Sequence, residues 1–159
     1  MTTQTEPKIV QKAAFRVAGL RYEGKNEHGE VPALWDNQFL PRMDELASIR
    51  VGGTYGIARA IPGVDVSRGF EYLAGVEVAV EASLPSGMVA WEMPPLTYAV
   101  LPAQDVPGIG PMCDYFYQEW LPKSPEWEMG VGLMMEYYPE TFPQDLIIFL
   151  HFPIKRKSA

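Results

Sequence analysis

The run "VGLMMEYYP" (Val131 to Pro139) sets one carboxylate, Glu136, among apolar and aromatic residues. In an extended strand successive side chains alternate between faces, so Glu136 shares a face with Met134 and Tyr138. A charge on a buried face costs several kcal/mol unless it is paired or hydrogen-bonded. Two explanations follow. In one, Glu136 stands in water on an edge strand or is held by an arginine, with Arg16, Arg21 or Arg59 as partners. In the other, it is a carboxylate in an aromatic pocket, set to meet a cation or a proton.

The other chemistry-bearing residues form no metal or nucleophile constellation. His28 and His151 lie in a polar loop and a terminal strand, with no cysteine pair or H-x-x-x-H spacing beside them. His151 in "FLHFP" reads as a satisfied strand residue, and no metal or cofactor is expected. The chain has no G-x-S-x-G elbow, P-loop or G-x-G-x-x-G. "GIGP" (Gly108 to Pro111) is too short to specify an anion site and reads as a turn before a proline-led helix. Cys113 has no basic neighbour in sequence and reads as a core thiol. Carboxylates and rings remain. Seven Phe, eight Tyr, four Trp and fifteen Pro make a ring-rich, loop-rich chain, and ring faces attract cations. Trp91 and Tyr72 lie on strand-like segments and are wall candidates. Trp35 and Trp120 fall on helical stripes, and Trp127 in "KSPEWEMG" lies in a loop.

A chain of 159 residues is enough for one domain with a sizeable core. Its 47% hydrophobic and 21% charged content is that of a folded globular protein. No window approaches the roughly 18 apolar residues of a membrane span, and "MTTQTEPKIV" has no apolar signal segment. A single cysteine excludes an internal disulfide framework and fits a reducing cytoplasm, the expected location. Net charge is −7. Between Gly69 and Asp145 twelve acidic residues face one base, Lys123. Such a surface repels phosphate backbones and attracts cations, so neither nucleic acid nor membrane is an expected partner.

Residues 1–7 read as a flexible leader and 155–159, with "KRK", as a basic tail. "AAFRVAGLRYEG" is strand-like, with Phe15, Val17 and Gly19 on one face. "VPALWDNQFLPRMDELASI" reads as helix, since Pro32 suits a first turn and Trp35, Phe39 and Met43 recur four apart. Pro41 should kink or end it near Leu40. "TYGIARAI" and "FEYLAGVEVAVEA" follow as strands. In the second, Tyr72, Ala74, Val76, Val78 and Val80 face one way and Glu71, Glu77 and Glu81 the other. "MVAWEMPPLTYAVLPA" reads as strand, turn at Pro94-Pro95, and strand. "GPMCDYFYQEWLP" is a helix with a Met112, Phe116, Trp120 stripe, and "VGLMMEYYP" and "LIIFLHFPI" close the chain.

The halves echo each other. "QFLPR" (Gln38 to Arg42) resembles "EWLPK" (Glu119 to Lys123) at an offset of 81 residues, and at that offset Tyr55 corresponds to Glu136. Each half reads strand, helix, strand, strand, which points to a duplication with half-repeats over about 8–82 and 88–154. The expected fold is α+β, with pseudo-twofold-related units forming an antiparallel sheet with two helices and a central ligand cleft.

"FEYLAGVEV", "TYAVLPA", "YQEWLPKSPEWE" and "LMMEYYP" occur in an order and spacing that resembles the GyrI-like small-molecule-binding domain. This is the effector-binding module of many AraC-type and multidrug-responsive regulators, and the resemblance spans about residues 8–154. It implies that Glu136, matching the glutamate of the family's E-x-Y strand, lies at a pocket floor and meets lipophilic cations. The matching ring positions are Tyr55, Tyr72, Trp91 and Tyr138, with Trp35 and Trp120 on the helices. No helix-turn-helix region accompanies the domain, so a free-standing sensor or sequestering module is expected, acting as a homodimer or through a separate regulatory protein. Two alternatives stand beside this reading. A hydrolase of reactive cyclopropane-type toxins would use Glu136 to activate water, with Tyr55 or Tyr138 as donor, and needs a carboxylate pKa raised toward working pH. A module that resembles the small inhibitor of DNA gyrase would use the acidic surface against a basic protein.

Overall fold

The computed structural model describes residues 6–158. Positions 1–5 of the expected leader and Ala159 of the expected tail lie outside them. Two compact units divide the chain, one holding residues 14–94 and the other residues up to 13 together with those from 95 onward.

The 14–94 unit contains β2 (Phe15–Gly24), a helical segment, β3 (Arg50–Ala60), β4 (Phe70–Val78) and β5 (Val89–Met93). The strands are antiparallel in the order β3-β4-β2-β5. Alternation works as the sequence implies. Tyr72, Ala74, Val76 and Val78 join Ala18, Leu34, Phe39 and Leu46 in a core under the helical segment, while Glu71 and Glu77 alternate to the other face. The strand is shorter than expected. It ends at Val78, and Val80 is two-thirds exposed, because Ala79 already donates its N–H to the Ile49 carbonyl in the adjoining turn. Gly19 and Gly75 stand opposite each other on β2 and β4. A Cβ at Gly19 would lie 1.8 Å from the Ala74 carbonyl oxygen, so only glycine lets these backbones approach so closely.

The second unit contains β1 (Lys8–Lys12), β6 (Leu96–Gln104), a second helical segment, β7 (Trp127–Met129), β8 (Leu133–Tyr138) and β9 (Ile147–Arg156). Its strands run in the order β1-β6-β9-β8, and β7 also pairs with β9. Ala99, Leu101 and Ala103 of β6 and Ile148, Leu150, Phe152 and Ile154 of β9 build the core beneath the helical stripe. β9 runs through Lys155 and Arg156, residues assigned in sequence to the tail, because β7 gives them partners in Glu128 and Trp127.

The duplication is visible in topology. β2, helix, β3 and β4 in one unit match β6, helix, β8 and β9 in the other, with sheet orders 3-4-2 and 8-9-6. β1 and β5 also lie 81 residues apart, and each pairs outside its own half of the chain: β1 with β6, and β5 with β2. Neither β1 nor β7 was legible as a strand. "KIVQK" is short with a charge at each end, and "WEM" has three residues.

Both helical segments change geometry at the same place. The first runs as α1 (Glu30–Ala33), a π turn over Leu34–Phe39 and a 3-10 stretch over Leu40–Leu46. The second runs as a 3-10 turn over Val106–Gly108, α2 (Ile109–Tyr115), a π turn over Phe116–Trp120 and α3 (Leu121–Lys123). The N–H of Leu40 bonds the Trp35 carbonyl and that of Leu121 bonds the Phe116 carbonyl, each five residues back. Pro41 and Pro122 follow directly. Each lacks an N–H, and the wide turn before it relieves the clash of its ring with the preceding turn. The helix therefore passes through Pro41 to Leu46 instead of ending near Leu40.

Candidate functional site

Glu136 lies on β8 facing the core of its unit. It stands opposite Leu150, a member of the cluster beneath the second helical segment, against which Met134 and Tyr138 also pack. It is 9% exposed, which removes the reading of a solvated edge residue. The Tyr138 hydroxyl, two residues on along the same face, donates to Glu136 Oε1 at 2.9 Å, and the Tyr138 ring meets Phe142 edge-on at 5.2 Å. A hydrogen bond from a hydroxyl offsets part of the cost of burying the carboxylate. The three arginines considered as partners make these contacts among the described residues. Arg21 and Arg59 hold Glu71, and Arg16 donates to the Val80 and Ala82 carbonyls.

Cys113 packs against the same cluster. Burial first, then the negative charges of Glu136 and Asp114, push its thiol up to about 12. It is protonated at neutral pH. On the opposite face of this sheet His151 sits between Tyr98 and Tyr137, at ring separations of 5.6 and 6.3 Å. Its Nδ1 lies 3.1 Å from the Phe149 carbonyl, and burial lowers its pKa below the ordinary histidine value. The Tyr98 hydroxyl is fully buried and has no hydrogen-bond partner among the described residues, and burial pushes it up to about 12.

Trp120 packs against the same cluster, stacked on Phe116 at 5.6 Å and donating from Nε1 to Glu6 at 3.2 Å. It borders a groove of about 370 Å³ with Tyr115, Trp127, Glu119 and Glu126. Trp127, placed in a loop by sequence, is buried on β7 with the Arg156 guanidinium 4.6 Å from its ring centroid.

In the 14–94 unit the four predicted rings divide between two faces. Trp35 Nε1 donates to the Tyr72 hydroxyl at 2.9 Å under the helical segment. That bond satisfies both polar tips within the core. Tyr55 and Trp91 occupy the other face. Tyr55 packs on Phe15 with 5.4 Å between ring centroids. Trp91 is 6% exposed and carries the Arg59 guanidinium 3.7 Å from its ring centroid. Arg59 Nε also donates to Glu71 Oε2 at 2.6 Å, while Arg21 Nη2 reaches Glu71 Oε1 at 2.7 Å. These two guanidiniums, Arg21's before Arg59's, hold the Glu71 carboxyl below the usual range. Sequence reasoning missed this network. Its one legible signal was period-two alternation placing Arg59 on the face of Tyr55 and Ile57.

Among the described residues no group of three or more His, Cys, Asp or Glu side chains could hold a metal ion. None of their helices is long and apolar enough to cross a membrane.

The profile of the GyrI-like small molecule binding domain matches residues 5–155. The chain belongs to that family. It is 31% identical over 137 residues to the transcriptional regulator BrlR of Pseudomonas aeruginosa, a match covering 85% of this chain and 48% of that protein. The chain thus spans about half the length of this curated relative. Among solved structures, SAV2435 bound to tetraphenylphosphonium superposes with a TM-score of 0.71 at 15% identity, over 95% of this chain and 94% of that one. The structure of EcmrR in its complex with DNA gives 0.69 at 8% identity, covering 96% of this chain and 58% of EcmrR. These likenesses establish the α+β fold with antiparallel strands and two helical segments as that of GyrI-like domains.

Proposed function

We propose that this GyrI-like domain binds lipophilic organic cations, with Glu136 as counter-charge and aromatic side chains as walls. The observation that carries the reading is Glu136 itself: a 9% exposed carboxylate in an apolar cluster, oriented by the Tyr138 hydroxyl. A lipophilic cation suits such a site because it demands few hydrogen bonds and loses little hydration on entry. At about 5 Å and an effective dielectric near 20, the attraction is about 3 kcal/mol before desolvation is deducted. Rings add contact without imposing one ligand shape. The ligand named with SAV2435, tetraphenylphosphonium, is of this class. Kinship with BrlR supports a cytoplasmic effector-sensing role, with any output to DNA carried by another segment or protein.

The test titrates the protein with tetraphenylphosphonium and with neutral triphenylphosphine oxide, following intrinsic fluorescence. The expected result is tighter binding of the cation and a loss of at least about tenfold, or about 1.4 kcal/mol, in Glu136→Gln. Equal binding of cation and neutral compound, or an unchanged glutamine variant, refutes the counter-charge.

A further inference from the structure

We propose that Arg59 is a displaceable resident cation. It covers the Trp91 ring, and a cationic ligand takes its place there. The proposal rests on the reading above that this domain takes up lipophilic cations, and it adds a ring face within the 14–94 unit and the shape of ligand that fits.

Three features of the geometry make the guanidinium removable. Its carbon lies 3.7 Å from the Trp91 ring centroid, so the face of the ring is already in use as a cation site. Trp91 is buried at 6% exposure, whereas the Arg59 side chain is 39% exposed. The guanidinium is thus far more exposed than the ring it covers, and on this proposal swinging it away uncovers the indole. Finally, Glu71 does not depend on Arg59 alone. Arg21 donates to the same carboxylate from Nη2 at 2.7 Å and from Nε at 3.2 Å. When Arg59 leaves, Glu71 keeps a charged partner and no buried carboxylate is orphaned, which removes the usual penalty for breaking one arm of an ion pair.

Exchange then favours ligands that reproduce what Arg59 contributes. A guanidinium is flat, delocalised and weakly hydrated, so the space it vacates over an indole suits flat aromatic cations better than compact, strongly hydrated ammonium groups. A neutral ring system of the same shape gains stacking area without the attraction of the ring's negative face. Arg59 thereby lowers the affinity for every cation by the strength of its own contact, and it filters out those that bind the indole less well than it does.

Ethidium and its neutral relative phenanthridine are the probes, titrated against wild type, Arg59→Ala, Arg59→Gln and Glu136→Gln. Arg59→Gln keeps a donor for Glu71 without the charge and serves if the alanine variant folds poorly. Removing Arg59 is expected to tighten ethidium binding about fivefold, the factor represented by one partly exposed cation-π contact. Phenanthridine should remain the weaker ligand in every variant, and the ethidium gain should vanish when Trp91→Leu is added to Arg59→Ala. An unchanged or weakened ethidium affinity in both Arg59 variants overturns the proposal, as does a gain that survives the addition of Trp91→Leu. If Glu136→Gln loses ethidium while the Arg59 variants match wild type, the resident-cation proposal alone falls. If folded wild type and Arg59 variants bind no cation, the cation-binding reading falls and this one with it.

Discussion

Replacing Glu136 by glutamine should make Cys113 more reactive toward an alkylating agent, and this outcome needs no ligand. The thiol is held up to about 12 by burial and by the charges of Glu136 and Asp114. Substituting glutamine keeps the size of the side chain and removes one of those charges. A unit charge about 10 Å away at an effective dielectric near 20 contributes about 1.7 kcal/mol, slightly more than one pKa unit. The sign is downward, because a nearby anion disfavours the thiolate and its removal favours it. At pH 9 the thiolate fraction of a group titrating near 12 is on the order of 10⁻³, so the alkylation rate follows that fraction directly. Iodoacetamide labelling of the single cysteine at pH 8, 9 and 10, followed by mass spectrometry, should show about a tenfold faster rate in Glu136→Gln. Circular dichroism excludes unfolding as the source of the gain. A folded variant whose labelling profile overlays wild type would mean that no charge at Glu136 acts on the cluster, and the counter-charge assignment would lose its physical basis.

Asp105 adopts φ 58° and ψ 176°, a region that glycine enters freely and other residues at a cost of about 1–3 kcal/mol. Asp105→Gly loses the cap to the Val106 N–H yet should raise stability by about 1 kcal/mol in urea denaturation; a loss would show that the cap outweighs the strain. Phe116 is 1% exposed and stacks on Phe152 at 4.1 Å and 8°, so Phe116→Ala should cost about 3–5 kcal/mol by the same assay. Glu71 titrates below its ordinary value of 4.5 when folded, chiefly through Arg21 and then Arg59. Its contribution is present above pH 4.5 and is lost as pH falls through the folded value, so Glu71→Gln should flatten the acid limb of a stability-versus-pH curve while the neutral region keeps its slope.

Much of the architecture is written in local periodicity. The recurrence of Trp35, Phe39 and Met43, and of Met112, Phe116 and Trp120, marks which face of each helical segment enters a core. The alternation from Tyr72 to Val78 and the 81-residue echo of "FLP" and "WLP" are likewise legible, because a helix or strand imposes its own period on any side chains it must bury. Glu136 stood out for the same reason, as a charge where the period demands an apolar residue.

Tertiary structure decided which separate segments meet. Strand register set Glu71 of β4 opposite Arg59 of β3 and Glu23 of β2, and side-chain reach then laid Arg59 over Trp91 on β5. The pairing of β1 with β6 and of β5 with β2 is equally invisible in the chain, since a short edge strand carries too little pattern to name its partner. The division of Tyr72 and Trp35 from Tyr55 and Trp91 shows the limit most plainly. An aromatic residue in a strand declares that it will be buried. Which surface buries it depends on contacts among residues distant in sequence, and period alone carries no information about those.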